Sequence, residues 1–136
     1  MTSISTPASW LAGYISDIPT PFDEHGAVDL ATFASLCERQ IEAGVSAIVV
    51  SETGGEASTL TVKEQESIVR AAVKAARGRI RVIAGAGSNS TCQTIELAQR
   101  AEAARADAIL SVVPYYNKPT QAGIQAHFRA CADHHL

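Results

Sequence analysis

The stretch SAIVVSETGGEASTLT, residues 46–61, joins an apolar run to a polar loop and then to the start of a helix. Residues 46–50 form a nearly continuous aliphatic run, which is typical of a parallel strand buried on both faces. Thr61 and Glu64 have the spacing of a capping box, in which the two residues satisfy free N–H groups at the start of a helix. The stretch therefore predicts one strand–loop–helix unit of an α/β protein.

The same order of strand, polar loop and helix occurs four times along the chain. The predicted strands are GYISDIPT (13–20), SAIVV (46–50), IRVIAG (80–85) and AILSVV (108–113). Their starts lie roughly 33, 34 and 28 residues apart, which is the length of a βα unit rather than of a hairpin. The predicted helices begin at Asp29, Thr61, Ser90 or Thr91, and Thr120, and the first two end at Gly44 and Gly78. We expect the fourth helix to continue to the end of the chain.

Four consecutive βα units fit two architectures. One is an open doubly wound sheet, and the other is part of a closed eightfold βα barrel. The periodicity of the sequence does not choose between them. A complete barrel takes ~250 residues, so the 136 residues of this chain would form about half of one.

The composition is that of an ordinary globular domain, with 46% hydrophobic residues and a net charge of −3. This weak acidity gives no reason to expect nucleic acid or a membrane surface as a partner. Residues 1–10 lack the apolar run of a secretory signal, and no stretch approaches the ~20 apolar residues of a membrane span. Cys37, Cys92 and Cys131 are widely spaced and form no CxxC pair. We therefore expect buried, reduced thiols in a cytoplasmic protein, and no metal site.

Function in both architectures concentrates at the carboxyl ends of the strands. These ends carry the loops DIPTPF (17–22), SETGGE (51–56), GAGSNST (85–91) and PYYNKP (114–119). The third loop invites a nucleotide-binding interpretation because it contains a G-x-G pair, but Ser90 stands where the dinucleotide fingerprint needs its third glycine. A plain βα turn is the favoured interpretation of this loop.

The second loop is a stronger candidate for a site. Gly54 and Gly55 let the backbone bend so that successive N–H groups point to a common spot, which suits a carboxylate or a phosphate. The hydroxyl of Thr53 can donate and accept hydrogen bonds at once, as a proton relay requires. The alternative is a helix-start turn in which polar side chains only satisfy backbone donors. This loop alone favours neither interpretation.

The fourth loop adds two adjacent phenols, Tyr115 and Tyr116, at the same end of the sheet as Thr53. Two neighbouring tyrosines do not both fit one small core, so we expect at least one to be exposed or to pack at an interface. A phenol at a strand end can pass protons where a hydroxyl partner lies within reach. The alternative is that the tyrosines serve only as subunit contacts.

Four motifs of the chain occur in a characteristic order: PTPF (19–22), TGGEASTL (53–60), VIAGAGSNST (82–91) and VVPYYNKPTQAGI (112–124). Together they resemble the dihydrodipicolinate synthase / N-acetylneuraminate lyase family from about residue 12 onward. The resemblance implies an α/β fold of parallel βα units, the first four of a TIM (β/α)8 barrel. Residues 1–11 would then be an N-terminal tail, and residues 12–136 the N-terminal half of the barrel domain.

The resemblance also implies a class I aldolase-like lyase that forms a Schiff base with pyruvate, without a metal or an organic cofactor. The synthase branch, which joins pyruvate to aspartate semialdehyde in lysine biosynthesis, is favoured by the PYYNKP form. Alternatives are a related 2-oxo acid aldolase or sugar-acid dehydratase and, in another class, a non-catalytic half-barrel that only assembles. The family further implies a homo-oligomer, a dimer of dimers.

Individual roles follow from the same resemblance. Thr53 matches the hydroxyl of the catalytic proton relay, and Thr53, Gly54 and Gly55 match the cradle for the pyruvate carboxylate. Tyr116 matches the relay tyrosine that reaches the neighbouring subunit's site. Asn89 and Tyr115 match part of the allosteric lysine pocket. The other polar residues that the family carries in that pocket are replaced in this chain by Val62, Gln65 and Gln93. We therefore expect weak or absent lysine inhibition.

Three features depart from the family pattern. Gly54 stands where the synthases carry a second Thr, and Glu52 stands where a glycine precedes the relay Thr. A carboxylate at residue 52 disfavours an anionic substrate unless it is paired or turned away. The Schiff-base lysine of the family belongs to the sixth strand, so we expect it to be absent from this chain. The lysines of this chain are Lys63, Lys74 and Lys118. We predict them on outer helix faces or on a solvated turn, and we therefore expect no activity from the chain alone.

Overall fold

Four parallel strands form a single sheet in the computed structural model, which describes residues 9–133. The strands are β1 (Ile15–Asp17), β2 (Ala47–Val50), β3 (Arg81–Gly85) and β4 (Ala108–Leu110). The helices are α1 (Leu30–Glu42), α2 (Val62–Ala76), α3 (Thr91–Ala103) and α4 (Gln121–Asp133), and a short 3-10 turn covers Ala57–Thr59. The predicted end of the fourth helix at residues 134–136, and residues 1–8 of the predicted tail, lie outside the described residues.

The order of the strands decides between the two architectures. Neighbours in the sheet follow the chain as β1-β2-β3-β4, all parallel. In a doubly wound sheet the order reverses and helices cover both faces. Here each new strand adds to the same edge, and right-handed crossovers then place every helix on one face. Accordingly α1 packs on α2, α2 on α3 and α3 on α4. The prediction of the first four units of a (β/α)8 barrel is confirmed.

Side chains along each strand point alternately to the two faces of the sheet, and this separates two apolar layers. Ile48 and Val50 of β2 point toward the helices and belong to the main core. Ala47 and Val49 point to the opposite face, where they form a smaller cluster with Ile83. Trp10 packs against this inner cluster. The concave face of the sheet is therefore partly filled by the segment that precedes β1.

Polar caps start the helices at the predicted residues. Asp29 Oδ1 accepts hydrogen bonds from the N–H groups of Ala31 (3.1 Å) and Thr32 (3.0 Å). The capping box of α2 is complete: Thr61 Oγ1 accepts from Glu64 N at 3.3 Å, and Glu64 Oε2 accepts from Thr61 N at 2.7 Å. The hydrogen bonds that the Glu64 carboxylate accepts from the N–H group and from the hydroxyl of Thr61 hold the pKa of this carboxyl below its ordinary value. Local sequence signals therefore fix the start of each of these helices.

Helix α4 is fastened to α3 by a buried polar contact. His127 is almost fully buried, and its Nδ1 lies 2.9 Å from Thr91 Oγ1. Its Nε2 faces the sulfur of Cys131 at 4.0 Å, one turn further along α4. Burial raises the pKa of the Cys131 thiol. The contact orients the last helix on the sheet.

Three predictions about local structure are wrong. The first strand covers only Ile15–Asp17 rather than residues 13–20, because only these three residues pair with β2. The fourth strand ends at Leu110 rather than at Val113, because β4 pairs only along the last three residues of β3, Ile83–Gly85. Cys92 is exposed, whereas Cys37 and Cys131 are buried as expected. Within residues 9–133, no group of three or more side chains of the metal-binding types comes together. No helix of that part combines the length and the hydropathy that crossing a membrane requires.

Candidate active site

The loop after β2 lies at the carboxyl end of the sheet and folds back on itself. Ser51 begins the loop in the left-handed region, with a φ of 55°. The N–H groups of Gly55 and Ala57 then donate to the carbonyl oxygen of Glu52, at 3.0 and 3.2 Å. The carbonyl of Gly55 accepts a buried hydrogen bond of 2.7 Å from Thr20 Oγ1, which anchors the loop to the segment after β1. The predicted cradle is thus a rigid turn, with the Gly55 N–H group already bonded.

The N–H group of Gly54 is bonded to a side chain that the sequence analysis did not single out. Asp17, the last residue of β1, accepts this hydrogen bond through Oδ2 at 2.9 Å. A Cβ atom at residue 54 would lie 2.5 Å from the same oxygen, so only glycine allows the carboxylate to come this close. The carboxylate of Asp17 therefore occupies part of the predicted carboxylate cradle.

The hydroxyl of Thr53 lies beside a second carboxylate. Thr53 Oγ1 donates to Glu52 Oε1 at 3.4 Å, which is long for an O–H···O bond, so the hydroxyl is weakly held and can turn to another partner. Glu52 Oε2 lies over the end of β3, where a Cβ at Gly85 would be 2.8 Å away. Two carboxylates therefore accept hydrogen bonds from this loop: Glu52 from the Thr53 hydroxyl and Asp17 from the Gly54 N–H group.

A cavity of about 340 Å³ opens beside Thr53 and Glu52. Tyr115 lines the same cavity, as do Gln65 and Gln93. Both amides are engaged, because Gln65 Nε2 donates to Ala57 O at 3.1 Å and Gln93 Oε1 accepts from Ser88 Oγ at 2.7 Å. The lining residues, all within the described part of the chain, include no Lys and no Arg. The cavity offers hydroxyl and amide groups and one carboxylate, but no cation.

The structure brings Thr53 together with Tyr115 rather than with Tyr116. The side chain of Tyr116 is 93% exposed, and its backbone is left-handed with a φ of 66°. Asn89 is tied to the fourth loop, since its carbonyl oxygen accepts from Asn117 Nδ2 at 3.1 Å. The role of Tyr116 as a relay toward a neighbouring subunit stays a prediction, and so does the allosteric role of Asn89.

The glycines of the third loop are explained by close packing. A Cβ at Gly85 would lie 2.0 Å from the carbonyl oxygen of Ser51, and one at Gly87 would lie 2.7 Å from Val112 Cγ1. Both glycines therefore let neighbouring loops approach the end of β3. This accounts for the G-x-G pair within a plain βα turn.

A larger groove than this cavity lies elsewhere on the described residues. A depression of about 600 Å³ runs between α1 and α2 on the outer surface and is lined by Leu30, Ala34, Ala71 and Arg77 among others. It shares no residue with the cavity beside Thr53. Chemistry in βα barrels occurs at the carboxyl ends of the strands, so the smaller cavity is the better candidate for an active site.

Comparison with known proteins decides the family. Residues 10–136 match the model of the dihydrodipicolinate synthetase family. The chain belongs to this family. Like other members, it is similar to curated 4-hydroxy-tetrahydrodipicolinate synthases: it is 50% identical over 125 residues to that of Methylobacterium radiotolerans, covering 92% of this chain and 42% of the relative. The identity to the synthase of Hyphomonas neptunium is 54% over 121 residues, covering 89% and 41%.

A solved member of the dihydrodipicolinate synthetase family has the same fold. The synthase of Acinetobacter baumannii, described as chloride-inhibited and complexed with pyruvate, superposes with a TM-score of 0.87 at 45% identity. The match covers 89% of this chain and 42% of that structure. The chain thus spans less than half the length of these relatives. Family membership identifies a lyase and synthase fold, within which Thr53, Gly54 and Gly55 lie at the carboxyl end of β2.

Proposed function

We propose that this chain provides the first half of the active site of a pyruvate-dependent Schiff-base synthase of the dihydrodipicolinate type. Its substrates would be pyruvate and aspartate semialdehyde, and its pathway lysine biosynthesis. The observation that carries the proposal is the position of Thr53 and the Gly54–Gly55 turn at the carboxyl end of β2, in a chain of this family. The Acinetobacter baumannii relative, described as a complex with pyruvate, supports the choice of substrate.

Thr53 would act as the relay hydroxyl. A lysine amine that condenses with the oxo group of pyruvate expels that oxygen as water, and the departing oxygen needs a proton. A hydroxyl can accept a proton from one side and pass its own to the other. The weak 3.4 Å contact with Glu52 leaves the Thr53 hydroxyl available for this role. Tyr116, whose side chain is exposed, would be its relay partner from across a subunit interface.

The nucleophilic lysine is not one of the three lysines of this chain. A Schiff-base lysine needs a lowered pKa, which burial or a neighbouring cation provides. Lys63 and Lys74 are exposed on α2, and Lys118 is exposed in the loop after β4. We therefore expect borohydride reduction in the presence of pyruvate to leave these three residues unmodified. A reduced pyruvyl group on any of them, located by mass spectrometry of peptides, would overturn this part of the proposal.

Binding of pyruvate tests the cradle itself. Titration of the isotope-labelled chain with pyruvate should shift the amide signals of Thr53, Gly54 and Gly55, while those of the α1–α2 groove residue Ala34 should stay fixed. Thr53→Val, which keeps the shape and removes the hydroxyl, should weaken binding about 5- to 10-fold through one lost hydrogen bond. Absence of any shift in the cradle would favour a half-barrel that only assembles. Larger shifts with a longer hydroxylated 2-oxo acid than with pyruvate would favour the related aldolases or dehydratases.

Assembly, location and regulation complete the proposal. The chain would act in a cytoplasmic homo-oligomer, a dimer of dimers, with residues 12–136 as the first half of the barrel domain. It would need no metal and no organic cofactor. Lysine would inhibit it weakly or not at all, because Gln65 and Gln93 use their side chains in internal hydrogen bonds. A calorimetric titration with lysine that gives tight binding would contradict the regulatory part.

A further inference from the structure

Asp17 forms a contact that bears directly on what the cradle can bind. Its Oδ2 lies 2.9 Å from the nitrogen of Gly54, across 37 positions of sequence, so the bond joins the end of β1 to the loop after β2. Asp17 itself is exposed at the mouth of the sheet. A carboxylate that accepts from a backbone N–H group in a turn is the same arrangement that a bound carboxylate ligand would adopt.

The residue at position 54 is matched to this contact. A Cβ there would approach Asp17 Oδ2 to 2.5 Å and Asp17 Cγ to 2.9 Å, which is closer than non-bonded atoms come. Any side chain at residue 54 would therefore push the Asp17 carboxylate away from the N–H group. Asp17 and Gly54 act as a pair, because the absence of a side chain at Gly54 makes room for the carboxylate of Asp17.

We propose that Asp17 is a specificity-determining residue that holds the Gly54 N–H group with its own carboxylate and competes with the carboxylate of a 2-oxo acid substrate. The inference rests on the proposed function, because it concerns the same cradle. Two effects act together. The substrate carboxylate has to displace an internal hydrogen-bond acceptor, and it has to bind beside a negative charge. The carboxylate of Glu52, the residue before Thr53, adds further negative charge beside the cradle.

Two substitutions at residue 17 separate these effects. Asp17→Ala removes both the acceptor and the charge, and Asp17→Asn removes the charge but keeps an oxygen that can accept from Gly54 N. We expect pyruvate to bind Asp17→Ala about tenfold more tightly than the unmodified chain, with Asp17→Asn in between. Glu42→Gln, at the end of α1 and so at the opposite end of the sheet, changes the net charge equally and should leave the affinity unchanged.

The Gly54 amide signal reports the contact without any ligand. In Asp17→Ala its proton should move to lower chemical shift, because the hydrogen bond to the carboxylate is lost, whereas Glu42→Gln should leave it in place. An unmoved Gly54 signal, or equal pyruvate affinity for the unmodified chain and Asp17→Ala, would overturn the inference. If pyruvate binds to none of the variants, the proposed function fails and the competition fails with it. The Gly54 signal still reports separately whether Asp17 holds the N–H group.

Discussion

Gly85, at the end of β3, is the position where one added methyl group should disturb the mouth of the sheet most. A Cβ there would lie 2.0 Å from the carbonyl oxygen of Ser51 and 2.7 Å from its carbonyl carbon. Both are backbone atoms of a residue that is buried and left-handed, so no side-chain rotation relieves the clash. Overpacking of this kind costs typically 1–3 kcal/mol, and a collision with backbone should reach the upper end, about 3 kcal/mol.

Urea denaturation of Gly85→Ala measures this cost. With a dependence of about 1–3 kcal/mol per molar urea, a loss of about 3 kcal/mol lowers the midpoint by about 1 M or more. Gly123→Ala in α4 is the matched control, because its Cβ would meet only Thr120 Oγ1 at 3.4 Å and Pro119 Cβ at 3.5 Å. Alanine in a helix interior should stabilise the chain by roughly 0.5–1 kcal/mol. If Gly85→Ala is as stable as the unmodified chain, the inferred close packing of Ser51 on the end of β3 is refuted.

Four further outcomes can be checked on the same chain. Burial raises the pKa of Cys37 to about 12, so a thiol reagent at neutral pH should modify Cys92 quickly in the folded chain and Cys37 only after denaturation. Thr61→Ala should lower the free energy of unfolding by about 1 kcal/mol in urea, and Thr61→Ser should restore most of it. The Glu64 carboxyl, whose pKa is lowered in the folded state by its bonds to Thr61, contributes stability above the ordinary pKa of 4.5 that is lost as the pH falls through its lowered pKa. Thr61→Ala removes the hydroxyl donor to Glu64 but keeps the backbone N–H donor, so it should flatten the acid limb of the stability–pH curve only in part, measured by urea midpoints. The exposed β4 edge should make the isolated chain associate, so Leu110→Lys should shift its sizing profile toward the monomer, and an unmodified chain that already elutes as a monomer would contradict this.

Local signals in the sequence predict the elements well, because helix starts depend on residues three or four apart. The Thr61–Glu64 capping box and the Asp29 cap are both present as predicted. The exposed position of Cys92 follows from the same helical geometry. It lies two residues before the buried Thr94, about 200° around α3, and so on the outer face. The end of β4 depends on how far this strand pairs with β3, and the sequence AILSVV does not indicate the extent of that pairing.

The site could be predicted only in part. The position of Thr53 follows from the strand that precedes it, since the carboxyl ends of parallel strands share one edge of the sheet. The bond from Gly54 to Asp17 spans 37 positions and depends on how β1 and β2 align, so no spacing rule indicates it. The only signal in the sequence was the position of Asp17 at the start of the DIPTPF loop. Tyr116 was placed at the correct end, but its exposure depends on the course of the loop and on any neighbouring subunit.

The departure from the family pattern at Gly54 has a structural explanation in Asp17. A threonine at residue 54 would place its Cβ 2.5 Å from Asp17 Oδ2, so it would displace the Asp17 carboxylate from the Gly54 N–H group. In this chain the position has no hydroxyl donor, and the carboxylate of Asp17 accepts from the backbone N–H group there. Under the proposed function, a 2-oxo acid would be held by backbone N–H groups and the Thr53 hydroxyl, and Asp17 would compete for one of these donors. We therefore expect Asp17 to affect the binding of a carboxylate more than Glu52 does, because Asp17 holds a backbone N–H group at 2.9 Å whereas Glu52 accepts from the Thr53 hydroxyl only at 3.4 Å.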